Sequence, residues 1–229
     1  MGDGKLKVLG IASATNTIGA AVVDEDLVIA ECSVSGKTAQ TEKLIILVDE
    51  VLRKSSIKIK DIDAVAVTIG PGSYSGLRGG LATAKGLVKS LNIPMISVST
   101  LHAIAYNFID ITGIVAVAIN ACRDDYNFAL FGVGSGSLKR LTGDLTVKQG
   151  KIEEVFSSIS GKIILACDER MKGKIKNENV LFAEPKNIVP WAVNVARIGL
   201  EKLRKKEVED YISLAPTYSH KPNIREFKG

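Results

Sequence analysis

The first hundred residues alternate between apolar runs and short polar breaks. Leu6 to Ile11 is a continuous apolar run ended by the small polar turn Ala12-Ser13-Ala14-Thr15-Asn16-Thr17. Ile18 to Val23 and Leu27 to Ser33 follow as two more strands across the acidic turn Asp24-Glu25-Asp26. Links this short leave only antiparallel pairing for three consecutive strands. From Thr41 to Lys54, Leu44, Leu47, Val48, Val51 and Leu52 recur at helical spacing and predict one buried face. Ile45 and Ile46 lie off that stripe. The helix is therefore either sandwiched within its own chain or offers a second apolar face to a partner.

Asp63 to Ile69 reads as a buried parallel strand that runs into the turn Gly70-Pro71-Gly72-Ser73-Tyr74-Ser75-Gly76 and a helix to about Leu91. Pro94 to Val98 predicts another strand, and Leu101 to Phe108 another helix. Three antiparallel strands, then helix, strand, helix and strand, is the order of a ribonuclease-H-like lobe. After Asp110 the pattern restarts. Ile114 to Asn120, Phe128 to Val133, Leu138 to Thr142 and Ile163 to Ala166 read as strands, Ile152 to Ser158 as a helix, and Val189 to Lys205 as an amphipathic helix with a basic end. Two α/β lobes are expected, residues 1–109 and a smaller 110–229 that carries a returning C-terminal helix and tail.

Composition narrows the function without naming it. The chain is 46% hydrophobic and only 5% aromatic, so its core is aliphatic and base stacking on aromatic platforms is disfavoured. Thirty Lys and Arg against twenty-five Asp and Glu leave a charge of +5, too small and too dispersed to identify a polyanion partner. Cys32, Cys122 and Cys167 are far apart and form no CxxC pair, so neither a disulfide framework nor a zinc knuckle is expected. With no signal core, membrane-length run or acylation motif, the chain reads as cytoplasmic and free of the membrane.

The segment from Gly70 to Gly80 carries the most information. A glycine loop where a strand becomes a helix collects unpaired backbone N–H groups and the positive end of the helix dipole, so it suits an anion or a carbonyl-rich loop. The plainer reading is a Gly-Pro turn closing a strand. The loop lacks the Gly-Lys-Ser/Thr of a Walker A motif, and Tyr74 stands where a nucleophile elbow needs serine. Along the helix Gly76, Gly79, Gly80, Thr83 and Gly86 recur at three-to-four spacing, apart from an apolar stripe of Leu77, Leu81, Ala84, Val88 and Leu91. Each interior glycine costs roughly 1 kcal/mol relative to alanine. Close approach of a second helix, from Thr41 to Lys54 or from another chain, is the compensation expected.

The stretch DAVAVTIGPGSYSGLRGGLATAKGLVKSLNIPMISVSTL, Asp63 through Leu101, closely resembles the TsaB or YeaZ family. The resemblance is dense over the first hundred residues; beyond them it rests on general pattern and the ending Leu214-Ala215-Pro216-Thr217-Tyr218. It implies the fold of actin, Hsp70 and sugar kinases. It also implies a role as non-catalytic partner of a TsaD-type transferase, with a TsaE-type ATPase, in making threonylcarbamoyladenosine on tRNA, which is met through the complex. Gly70, Pro71, Gly72, Ser73, Tyr74, Gly76, Leu77, Arg78, Gly79, Gly80, Thr83 and Gly86, with Ile45 and Ile46, are the expected binding and pairing residues, for TsaD or for a second copy.

Departures from the family pattern bear on chemistry. Its Asp-Thr-Ser after the first strand reads Ala12-Ser13-Ala14, its His-Ser before the first helix reads Gln40-Thr41, and its Asp-Ala-Arg in the second lobe reads Asn120-Ala121-Cys122. Actin-like ATPases and ribonuclease-H nucleases both need a carboxylate at the first strand's end to hold magnesium. No catalytic residue, metal site or cofactor of its own is therefore expected, with ATP or ADP reserved for a complex interface. The rival reading is an ATPase or phosphotransferase using its own cleft; a protease is remote, for want of a histidine pair or nucleophile elbow. His102 reads as a helix-start residue, and Asp124, Asp125 and Glu154 as solvated carboxylates. Lys202, Arg204, Lys205 and Lys206, with Lys221, Arg225 and Lys228, read as a solvated helix end and tail or as contacts to tRNA phosphates.

Overall fold

The computed structural model describes residues 4–25, 27–36 and 41–219. Asp26, Gln40, His220, Lys221, Arg225 and Lys228 lie outside them. The first sheet has the order β3-β2-β1-β4-β5, from β1 (Val8–Ala12), β2 (Thr17–Val23), β3 (Val28–Ser35), β4 (Ala64–Gly70) and β5 (Met95–Ser99). β1, β2 and β3 pair antiparallel, as their short links require, and β4 and β5 continue the sheet in parallel.

Helices α1 (Leu44–Ser55) and α2 (Tyr74–Leu91) cover one face of this sheet, burying Leu47, Val51, Leu81 and Val88 on Leu9, Ile11 and Val67. The opposite face is covered from far along the chain. Helix α6 (Ala192–Arg204) lays Val195, Ala196 and Ile198 on Val8, Ala66 and Val98. Its approach is close because Gly10 and Gly199 carry no side chain: a Cβ on Gly10 would run into the Ala192 and Ala196 backbone, and one on Gly199 into Ala66. Burial on both faces is why β1 and β4 are continuous apolar runs.

The second sheet has the order β11-β10-β6-β7-β8, from β6 (Gly113–Cys122), β7 (Asp125–Gly134), β8 (Ser137–Arg140), β10 (Ile163–Cys167) and β11 (Val180–Phe182), with β9 (Leu145–Lys148) paired to β7. α4 (Gln149–Ser157) covers it, burying Ile152 and Phe156 against Phe128 and Leu165. α3 (Thr100–Ala105) packs Leu101 and Ile104 from the first lobe on Val115 and Phe131 of the second. Among the described strands and α-helices, three go beyond the sequence reading: β9, β11 and the single turn α5 (Glu169–Lys172). Each has three or four residues, too few for a hydrophobic period to register.

After α6 the chain turns back as a strap along the first lobe. Glu209 N donates to Met95 O at 2.9 Å, its carboxylate accepts from the Ser97 hydroxyl, and Thr217 N donates to Ile69 O at 2.7 Å. At its end the Ser219 hydroxyl meets Asn127 Oδ1 of the second lobe.

Candidate functional site: the glycine loop and the cleft between the lobes

β1 and β4 both finish at the gap between the two sheets, where open parallel sheets carry their sites. At the end of β4, Gly70 has φ +125°, and a Cβ there would strike the Thr217 carbonyl oxygen. Glycine is required on both counts. The loop is then stitched to the β1 turn by Ser73 N donating to Ala14 O at 2.8 Å, while the Ser73 hydroxyl caps α2 by accepting from Gly76 N at 3.3 Å.

The small residues of α2 share one arc of the helix but meet different neighbours, most of them within the chain. Gly76 and Gly80 are buried against Ser13: a Cβ on the first would collide with its carbonyl oxygen, one on the second with its hydroxyl. Gly79 meets the Thr41 side chain, with 2.8 Å between a built Cβ and Thr41 Cβ, and Thr83 turns its hydroxyl to Gly79 O at 2.9 Å. Of the α2 glycines only Gly86 is open: a Cβ there would meet no atom of the described residues within 4 Å. Gly70, Pro71 and Leu77 are also buried, whereas Gly72, Ser73, Tyr74 and Arg78 are exposed. Ile45 and Ile46 on α1 are 54% and 60% exposed.

A cavity of about 540 Å³ separates the lobes, with Ala14, Asn16, Thr17 and Ser73 on one side and Asn120, Asn127 and Asp168 on the other. Ala12 is buried among Val8, Ala21 and Ala66, so the end of β1 presents no carboxylate. Asp168 is occupied structurally: Oδ2 accepts from Asn120 N and Oδ1 from Met171 N, both at 3.2 Å, which caps α5. A hollow of about 750 Å³ lies beside Lys7 and Asp63, at the opposite ends of β1 and β4. Lys7 N donates there to the Asp63 carboxylate at 2.7 Å, and the strand-end geometry of a site is missing.

His102 is tucked between the lobes, its ring stacked on Phe131 at 5.7 Å between centroids. Burial first, then the charges of Arg140, Lys202 and Lys205, lower its pKa to about 4, so it stays neutral. Of the basic cluster, Lys202 Nζ donates to Ser97 O at 2.9 Å and Arg204 pairs with Glu25 at 3.1 Å; these two are engaged by their own chain. Asp124 pairs with Lys174 at 3.2 Å and Glu154 with Lys151 at 2.6 Å, as solvated carboxylates do. Sequence reasoning missed Asn127 and Ser219. The available signal was a polar residue inside the otherwise apolar stretch from Tyr126 to Val133.

Among the described residues no helix is long and apolar enough to cross a membrane. The family model described as TsaD: tRNA N6-adenosine threonylcarbamoyltransferase matches residues 35–221. The tRNA N6-adenosine threonylcarbamoyltransferase of Paracoccus denitrificans (strain Pd 1222) is 33% identical over 123 residues, 46% of this chain but 35% of that protein. The tRNA threonylcarbamoyladenosine biosynthesis protein TsaB of Bacillus subtilis (strain 168) is 31% identical over 218 residues, 93% of each chain. YeaZ from Pseudomonas aeruginosa superposes with a TM-score of 0.79 over 93% of this chain and 99% of that one, at 17% identity, and so shares the fold. The expected α/β arrangement of two sheets is the one observed, and it is the fold of YeaZ. With a relative alike from end to end and the same two lobes, the chain belongs to the TsaB (YeaZ) family.

Proposed function

We propose that the chain serves tRNA threonylcarbamoyladenosine biosynthesis as a non-catalytic TsaB-type subunit, pairing with a TsaD-type subunit through the outer face of α1 and α2. A TsaE-type ATPase and tRNA are met through the assembly, any ATP or ADP is held at a subunit interface, and a second copy uses the same face when TsaD is absent. The observation that carries this reading is the exposure of Ile45 and Ile46 on α1 at 54% and 60%, in the same helical layer in which α2 leaves Gly86 uncovered by the described chain. Two consecutive exposed isoleucines offer apolar area, and an uncovered helix glycine allows close backbone approach. Ile212 on the strap, 75% exposed, adds to the same side, since Lys85 of α2 holds its carbonyl at 3.1 Å. Ala12 at the end of β1 supports the non-catalytic part, because magnesium phosphoryl transfer there lacks its ligand.

Mixing the purified chain with its cognate TsaD-type subunit and measuring complex mass by light scattering tests the reading. A stoichiometric complex is expected, and Ile46→Glu should weaken it by at least about tenfold with thermal stability unchanged. Wild-type affinity in a folded Ile46→Glu variant would move the interface elsewhere. Magnesium-dependent ATP turnover by the pure chain would overturn the non-catalytic assignment.

A further inference from the structure

The first lobe is electrically polarised along its strands. β1 and β4 finish at the cleft, where Asp168 and Glu169 are the only ionisable residues among the described lining. They start at the hollow of about 750 Å³, which is lined by Lys5, Lys7, Lys58 and Lys60 against Asp61 and Asp63. Asp63 already accepts from Lys7 N at 2.7 Å. In Lys5-Leu6-Lys7 and Lys58-Ile59-Lys60 the middle residue is anchored, Leu6 on the core under α6 and Ile59 on the core under α1 and α2. The flanking lysines are left at the surface, with Lys58 and Lys60 exposed. Nearby on α1, Arg53 and Lys54 are paired with Asp49 and Glu50, whereas Lys58 and Lys60 have no ion-pair partner among the described residues.

α6 brings more positive charge to the same end. It runs against β1, with Ala192 over Gly10 and Gly199 over Val8, so its last turn lies where β1 begins. Leu203 packs there in the same core as Leu6, and Lys205 and Lys206 just beyond it are exposed. Cations at a helix end follow from the helix dipole alone. Lys5, Lys7, Lys58 and Lys60 belong to no α-helix, so that explanation does not reach them. The hollow also lacks the strand carboxyl ends that hold small ligands, but a phosphate backbone needs only cations within reach. None of its described lining residues is aromatic, so it offers no platform on which bases stack.

We propose that this end of the first lobe is a direct contact for the sugar–phosphate backbone of tRNA, held by charge and not by base sequence. Lys58 and Lys60 are its centre, Lys5 and Lys7 add to it within the hollow, and Lys205 and Lys206 extend it on the α6 side. The choice of RNA over another polyanion rests on the role in tRNA modification proposed above. An acidic cleft at one end and a basic hollow at the other orient an approaching polyanion toward the start of the strands.

Fluorescence anisotropy of labelled, unmodified tRNA titrated with the full chain, between about 50 and 200 mM salt, tests this directly. The logarithm of the affinity should fall linearly with that of the salt concentration. Lys58→Gln with Lys60→Gln should weaken binding at least about fivefold at low salt and flatten the salt slope by about 1 to 2, with the melting temperature unchanged. Lys139→Gln with Lys162→Gln removes two exposed lysines from the second lobe and should change affinity by less than about twofold. Poly-glutamate should displace the RNA only in large excess. No binding at the lowest salt, equal losses in the two double variants, or displacement by poly-glutamate as readily as by unlabelled tRNA would each overturn the proposal. None of these outcomes bears on pairing with the TsaD-type subunit, which complex mass reads. A chain that binds tRNA through Lys58 and Lys60 but forms no complex would overturn the pairing alone.

Discussion

Arg78 Nε donates a 3.1 Å hydrogen bond to the Tyr218 hydroxyl across 140 positions of sequence, and its guanidinium lies 4.2 Å from the centroid of the Tyr74 ring. Tyr218 itself sits 5.1 Å from Tyr74. The first turn of α2 is thereby clamped to the end of the strap.

Tyr218→Ala should cost about 1 kcal/mol through loss of the ring pair, and it should free the strap. Limited proteolysis reads the second effect separately. Cleavage between residues 212 and 219 should accelerate in the variant while the two sheets stay protected; equal cleavage would show that the remaining ties, Thr217 on Ile69 and Ser219 on Asn127 among them, hold the strap without the tyrosine.

Two glycines of α2 should respond oppositely to alanine. Gly76→Ala drives a Cβ into the Ser13 carbonyl oxygen, a backbone atom that cannot rotate away, and should destabilise by about 2 kcal/mol or more. Gly86→Ala meets nothing and should stabilise by roughly 1 kcal/mol through helix propensity. Urea midpoints of the two variants check both signs.

The outcome for these glycines shows how far a sequence can be read. Glycine inside a helix announces that something approaches closely, but the periodic pattern cannot say whether the neighbour is Ser13, Thr41 or another chain. The stripes of α1 and α2 were legible because Leu47, Val51, Leu81 and Val88 repeat at helical spacing against one sheet. The strap was not, because its hold is a backbone bridge at Met95, a carbonyl at Ile69 and one tyrosine, none of which leaves a period. For the same reason the cleft was only half visible: Gly72 and Ser73 belong to a recognisable loop, whereas Asn127 joins them through the pairing of β6 with β7.

His102 gives stability a dependence on acid. Folded, it titrates at about 4 against an ordinary 6.5, so above 6.5 both states are neutral and it contributes no pH dependence. Between 6.5 and 4 only the unfolded chain takes up the proton, and stability falls as pH falls, by an upper bound of about 3 kcal/mol. Arg140, Lys202 and Lys205 oppose the charge from the surrounding elements. His102→Gln should flatten the melting temperature between pH 7 and pH 4 relative to the wild type; a curve of unchanged steepness would assign the acid sensitivity to other groups.

Thiol chemistry should distinguish the three cysteines. Cys122 is exposed at the β6–β7 turn, Cys32 is buried, and Cys167 is buried with a pKa pushed up to about 12 by desolvation and then by Asp168. A chromogenic disulfide reagent should modify one thiol quickly in the native chain and all three in denaturant, and Cys122→Ser should abolish the fast phase.

The placement of α6 governs how the chain matures on the ribosome. Val8, Ala66 and Val98 belong to strands completed by residue 99, yet the helix that covers them begins at residue 192. For the time needed to make those intervening residues, the nascent sheet has a dry side and an unsheltered apolar side, and the edge at Met95 awaits Glu209. The amino-terminal half therefore cannot settle into its final form as it emerges. It must wait for the carboxyl-terminal end, and an isolated 1–109 fragment should remain unfolded or aggregate.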